Sequence, residues 1–244
     1  MGSVSYVSLS KATALERSMN MTAHNLANSS TSGYKSMKPL LETVNDESQG
    51  ESVSFVRDTG SYLDMSNGTM LLTGNPLDLA VGSDGWFSFE LDQGGVGYGR
   101  HGQFAVDAEG QVRTSAGHLL LDAGGGPLVF PQEAGSNVTI ASDGTVVDAQ
   151  GTLLGTIGVF DIPGADQMIP LGGGMYGLKP GAPAPEPLVN GGVLQGFVET
   201  SNVQAVVEMT RLIDIQRAYE NAITLMNEDD ELTRKAVERL GPNG

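Results

Sequence analysis

The chain has 244 residues, with 13 basic side chains against 29 acidic ones, no cysteine and a formal charge of −16. That length allows one good core or a main body with a smaller partner. Without cysteine there is no disulfide framework and no thiolate chemistry, and so acidic a surface repels phosphate backbones and anionic lipid, which argues against nucleic-acid binding and membrane attachment.

The charge is concentrated in the middle. Residues 1–44 hold four basic and two acidic side chains and residues 203–244 five and eight, while the stretch between carries four against nineteen. Glycine, at 34 residues, is about twice its average usage and gathers in the same middle region, among short apolar runs, which predicts many turns between short strands. The first thirty residues lack a basic n-region followed by an apolar stretch, and nowhere do about 18 apolar residues run together, so neither a cleaved secretory signal nor a membrane insertion is expected. The opening Met1-Gly2-Ser3-Val4-Ser5-Tyr6 misses the myristoylation pattern at its sixth residue.

The N-terminal segment reads as a helix. Leu9, Ala12, Leu15, Met19, Ala23 and Leu26 recur at steps of three and four, and glycine and proline are absent from Ser3 to Ser32. The pattern stops in the turn-prone run Asn28-Ser29-Ser30-Thr31-Ser32-Gly33. Residues 1–35 form one expected segment, and 36–76 an extended linker.

From there the code changes to period two. Trp86–Leu91, Gln103–Val106, His118–Leu121, Val138–Ile140 and Thr156–Phe160 read as strands, punctuated by Asp84-Gly85, Asp107–Gly110, Asp143-Gly144 and Asp148–Gly151 as hairpin-type turns. A β-rich domain is expected over 77–192, its last stretch a Pro/Gly connector through Pro180, Pro183, Pro185 and Pro187.

The final segment, 193–244, predicts a long helix. Ser201 is the expected N-cap, with Gln204 three residues on, and no glycine or proline follows until Gly241-Pro242. Met209, Leu212, Gln216, Tyr219, Ile223, Met226, Asp230, Thr233, Val237 and Leu240 alternate steps of three and four, a heptad seam with polar breaks. Glu208, Arg211, Asp214, Arg217 and Glu220 alternate in sign on a solvated face, and Glu228–Glu231 reads as another. Such a helix runs about 60 Å, for which a glycine-rich β domain offers no groove, so similar helices of other subunits are the expected partners. The fold class expected is α+β: a mainly-β domain inserted between long N- and C-terminal helices that form coiled coils on assembly.

Chemistry-bearing patterns are weak. Gly97-Tyr98-Gly99-Arg100-His101-Gly102 spells GxGxxG, but no buried strand precedes it and a β-like run, not a helix, follows, so no dinucleotide site is expected. His24, His101 and His118 are scattered, the Asp-x-x-Gly turns lack the alternating oxygens of a calcium loop, and Trp86 is the sole tryptophan available as a glycan platform. No catalytic residue, cofactor or metal is expected.

Two long motifs lie at opposite ends of the chain. Asn25-Leu26-Ala27-Asn28-Ser29-Ser30-Thr31-Ser32-Gly33-Tyr34-Lys35 and Gln195-Gly196-Phe197-Val198-Glu199-Thr200-Ser201-Asn202-Val203, continued by Glu208-Met209 and Gln216–Glu220, resemble the terminal signatures of the flagellar rod and hook family. Gly74–Val81, Asp84-Gly85-Trp86-Phe87 and Tyr98–Phe104 are similar to the start of its β domain. The short length, Val7–Ser10, Ala14–Glu16 and Asp84-Gly85-Trp86 look more like the proximal-rod type than the distal-rod type, and a hook protein would be larger.

The resemblance implies a structural subunit, not an enzyme, that assembles with copies of itself and other rod proteins. It also implies passage through the flagellar type III export apparatus without a cleaved signal, and a place in the periplasmic rod of the basal body. The assembly residues it implies, together with the helical seams, are Leu15, Met19, Asn25, Leu26, Asn28, Gly33, Tyr34 and Lys35 near the N-terminus. Near the C-terminus they are Ser201, Asn202, Val203, Met209, Leu212, Tyr219, Ile223 and Met226. A secreted glycan-binding β module and a wall hydrolase are the rival classes.

Overall fold

The computed structural model describes residues 3–46, 53–91, 94–131, 137–164, 167–188 and 191–240. The chain divides into two compact units, one made of 1–27, 37–62 and 204–244 and the other of 28–36 and 63–203. Both are discontinuous in sequence.

The first unit holds helix α1 (Ser3–Ala27), strands β1 (Met37–Asp46) and β2 (Val53–Leu63), and helix α2 (Ala205–Leu240). Helix α1 packs against α2 and β1. Its buried residues are mostly small, Ser8, Ala12, Ala14, Ser18 and Thr22, with Met21 and Asn25, which lets backbones approach closely. Ser10, Thr13 and Ser18 return their hydroxyl protons to the carbonyls of Val7, Leu9 and Ala14, so these polar groups need no outside partner.

The expectation that the helices bury their seams by coiling with other subunits is corrected here. The chain has one N-terminal and one C-terminal helix, and they pack on each other, so the class is α+β with an internal helix pair. The buried face of α2 also differs from the heptad reading. Glu208 and Ala222 are its buried residues and Leu212, Ile215, Tyr219, Ile223 and Met226 are half-buried, whereas Met209 and Gln216 are exposed. Residues 231–239 are exposed throughout, Thr233 and Val237 among them; the Leu240 side chain, Asp92, Gln93, Gly241 and Pro242 lie outside the described residues. Helix α2 begins four residues after the expected cap: the Gln204 carbonyl accepts the Glu208 N–H at 3.0 Å.

Strands β1 and β2 pair as a two-stranded ribbon across the stretch expected to be linker. A lone ribbon is marginal in water. Arg17 of α1 reaches Asp58 of β2 at 3.1 Å, and Glu42 and Arg57 pair across the ribbon at 2.7 Å.

The second unit is all-β among its described residues. Its strands are β3 (Met70–Leu72), β4 (Leu79–Val81), β5 (Trp86–Glu90), β6 (Val96–Gly99), β7 (Phe104–Val106), β8 (Val112–Thr114), β9 (Leu119–Leu120), β10 (Val138–Ile140), β11 (Thr145–Asp148), β12 (Leu153–Thr156), β13 (Val159–Asp161), β14 (Met168–Gly172), β15 (Met175–Leu178), β16 (Glu186–Pro187), β17 (Val193–Gln195) and β18 (Phe197–Glu199). The main sheet has nine strands with a path β14-β15-β6-β5-β9-β8-β7, to which β13 and β16 add; β10-β11-β12 form a second sheet, and β17-β4 and β18-β3 are separate pairs. Phe87, Phe89, Phe104, Leu120, Phe130 and Val146 centre the core, with Phe87 edge-on to Phe104 at 5.9 Å.

One turn recurs six times among the described residues and accounts for part of the glycine excess. A carbonyl accepts the N–H of a glycine three residues on, at Leu91/Gly94, Asp107/Gly110, Thr114/Gly117, Asp122/Gly125, Ala141/Gly144 and Asp148/Gly151. Each glycine has φ between 81° and 95°, the left-handed region that a three-residue hairpin loop requires. Where the first residue is aspartate its carboxylate takes two further backbone N–H groups, Glu109 and Gln111 on Asp107 and Gln150 and Thr152 on Asp148. Asp84-Gly85 is the exception among the expected turns: it is a bend leading into β5.

Candidate functional site

The terminal motifs meet in the second unit, at a buried cluster of charge. Lys35, from the N-terminal motif, places Nζ 2.9 Å from Glu199 Oε1, and Arg100 places Nε 2.7 Å from Glu199 Oε2. The three side chains are 0–2% exposed. Two cations on one carboxylate is a costly arrangement unless the remaining polar groups are satisfied. Lys35 Nζ also donates to the Ser66 carbonyl at 2.8 Å and to Asn67 Oδ1 at 3.2 Å. Arg100 donates to the carbonyls of Val81 and Ser83 and stacks over Trp86, 5.7 Å from the ring. Glu199 Oε1 accepts a second donor, the Gly68 N–H at 2.8 Å.

Burial holds the Lys35 ammonium below the usual lysine range, against the pull of Glu199. Burial also pushes the Tyr176 phenol up to about 12. That hydroxyl accepts the Lys35 backbone N–H at 3.2 Å while its ring stands edge-on to Trp86 at 5.5 Å. His101, the next residue after Arg100, holds its Nδ1 3.2 Å from the Ser32 carbonyl, and burial lowers its pKa, with His118 nearby acting in the same direction.

The backbone of the N-terminal motif is equally engaged. Glu199 offers its carbonyl to the Gly33 N–H at 2.8 Å and to the Ser32 hydroxyl at 3.0 Å. Gly33 sits at φ 67°, and a Cβ there would run into the Arg100 carbonyl, so this position requires glycine twice over. Asn202 accepts the Ser36 N–H at 2.8 Å and donates to the carbonyls of Asp64 and Ser66. Ser201 accepts the Val203 N–H at 3.1 Å, a local turn in place of a helix cap. The GxGxxG spelling lies along β6 and the turn after it, where Gly102 leaves room for the Leu79 carbonyl, and builds no phosphate cradle.

Of the residues singled out in the sequence, Asn28, Gly33, Tyr34, Lys35, Ser201, Asn202 and Val203 lie in this unit; Tyr34 is buried and Asn28 receives the Thr31 N–H and hydroxyl. The others belong to the helical unit. There Asn25 pairs doubly with the Met37 backbone, at 2.8 and 2.9 Å, as a strand would. Leu15 lines a shallow groove with Val206, Val207, Thr210, Ile215 and Ala218; Met19, Leu26, Leu212, Tyr219, Ile223 and Met226 are half-buried, and Met209 is exposed. Glu199, Arg100 and Tyr176 are absent from that set. A charge inside the alternating run Phe197-Val198-Glu199 was the signal available for the first. Among the described residues no group of His, Asp and Glu could hold a metal ion, and no helix is long and apolar enough to cross a membrane.

Residues 194–239 match the family described as flagellar basal body rod FlgEFG protein C-terminal, and 80–148 match the flagellar hook protein FlgE/F/G D1 domain. Over its whole length the chain is similar to the flagellar basal-body rod protein FlgF of Caulobacter vibrioides, 38% identical over 242 residues, and of Mesorhizobium japonicum, 35% over 244; each match covers 97% of both chains. The rod protein FlgG of Bacillus subtilis is 28% identical, over 95% of this chain and 97% of its own. The cluster thus joins one matched stretch, through Arg100, to the other, through Glu199.

Proposed function

Since the chain belongs to the family of flagellar basal-body rod proteins, and is a structural subunit of that rod with other rod proteins as its partners, we propose that it builds the proximal part of the rod, as the FlgF type does. It reaches the periplasm through the flagellar type III export apparatus without losing a signal segment, and it touches copies of itself as well as other rod subunits. The FlgF proteins of Caulobacter vibrioides and Mesorhizobium japonicum, at 38% and 35% identity, support this placement over a distal, FlgG-type one.

The observation that carries the assembly reading is the outer surface of α2. Val206, Val207, Met209, Ile213, Leu225 and Leu232 are 47–75% exposed on one helix, an apolar surface that a subunit acting alone has no reason to keep. Met209 is thus the seam residue best placed to touch a neighbour, while Leu212, Tyr219 and Met226 stabilise the helix pair and act on assembly through it.

The absence of cysteine makes a direct test simple. Single cysteines at Val206, Ile213 or Leu232, each carrying a thiol-attached photo-cross-linker, are expected to cross-link to other rod subunits in purified basal bodies, whereas one at Leu153, exposed in the β unit, serves as the comparison. Identification of the cross-linked partners by mass spectrometry separates proximal from distal placement. Cross-links at Leu153 and none along α2 would overturn the reading.

A further inference from the structure

Residues 28–36 form a strap across the β unit, and their attachment is concentrated on one residue. Glu199 receives the Gly33 N–H and the Ser32 hydroxyl on its carbonyl and the Lys35 ammonium on Oε1. The remaining ties are polar too: Ser36 N–H to Asn202, Asp64 N–H to the Ser36 carbonyl, Lys35 N–H to Tyr176, and His101 to the Ser32 carbonyl. Only Tyr34 adds a large buried apolar side chain, and no strap residue belongs to the core around Phe87 and Phe104. The sheets are paired without it.

Ser32 to Ser36 are buried, yet the segment lies outside the apolar core and carries few of the buried apolar contacts that raise local opening to the global unfolding free energy. The charged groups facing Lys35 are Glu199, Arg100 and Asp64. Take away the Glu199 carboxylate and two buried cations face each other across the strap, which favours its release. We infer that residues 28–36 are a latch with Glu199 as its catch, able to leave the β unit locally while the sheets stay closed.

In the chain the strap leads from α1 to β1, so its release frees that connection from the β unit without altering the β core.

Hydrogen exchange on the full-length chain, read by mass spectrometry, tests this in the wild type, Glu199→Gln and Lys35→Met. In Glu199→Gln the amides of Gly33, Lys35, Ser36 and Gly68 are expected to lose at least ~10-fold more protection than those of β5 and β9. Lys35→Met retains the Glu199–Arg100 pair and should accelerate the strap amides less, again selectively. Should Glu199→Gln fail to fold, Lys35→Met decides alone. Unchanged strap protection, or a uniform loss across the β unit in Lys35→Met, would overturn the latch.

Discussion

Lys35 and Glu199, 164 residues apart in the chain, meet at 2.9 Å with both side chains out of solvent, and Arg100 holds the second carboxylate oxygen at 2.7 Å. Such a cluster is asymmetric. Removing the carboxylate strands two cations, whereas removing the ammonium leaves a matched pair. Glu199→Ala is therefore expected to cost about 3–5 kcal/mol and Lys35→Met clearly less, measured as the urea unfolding midpoint of the β unit's Trp86 fluorescence. Equal losses would mean that the carboxylate is not the hub.

Gly33 and Gly151 both sit at positive φ, 67° and 81°, but only the first faces backbone where a Cβ would go. Gly151→Ala carries the conformational cost alone, about 1 kcal/mol, while Gly33→Ala adds a clash with the Arg100 carbonyl and should cost at least twice as much. Thermal melts of the two variants give the comparison.

The aspartate turns predict an acid limb. The Thr152 N–H holds the Asp148 carboxyl below its ordinary range, and the Arg113 side chain does the same for Asp107. A depressed native pKa contributes stability that is present above the unfolded value near 4 and lost as pH falls through the native one. Asp148→Ala should lower the melting temperature at neutral pH and flatten its fall below pH 4. An unchanged acid limb in the variant would count against this role.

Tyr176 predicts an alkaline limb of opposite sign. With its native pKa near 12 against about 10 when unfolded, the unfolded chain loses the proton first, so stability falls as pH rises from 10 towards 12. Tyr176→Phe should remove that slope. It also removes the acceptor for the Lys35 N–H, so some loss at neutral pH accompanies it.

How much of this was legible depends on what each residue's neighbours are. Both helices and strands β5, β7, β9, β10 and β13 follow from periodicity, because their buried faces repeat at 3.6 or 2, while most other strands of the β unit are too short to show a period. The ribbon of Met37–Asp46 and Val53–Leu63 escaped it: Leu40, Leu41 and Tyr62 are exposed, so its apolar residues mark no buried face. On α2 the heptad reading placed Leu212, Tyr219 and Met226 on the packed side but missed Glu208 and Ala222, which carry little hydropathy. The charge cluster was half visible. Lys35, Arg100 and Glu199 all lie in conspicuous motifs, yet their pairing depends on chain segments brought together only by the fold.

The packed side itself yields a prediction. Leu212→Asp is expected to lower the helical content and melting temperature of the helix pair by the equivalent of about 3 kcal/mol, and Val237→Asp, on the exposed end of α2, to leave both within about 0.5 kcal/mol of wild type. Circular dichroism at 222 nm follows both.

The most direct measurement of the central claim is electron microscopy of basal bodies, with swimming assays, in cells deleted for this chain and complemented with full-length protein or with a version lacking residues 203–244. A structural rod subunit predicts loss of complete rods and of swimming on deletion, restored by the full-length chain and not by the shortened one. Normal rods and swimming in the deletion strain would contradict it.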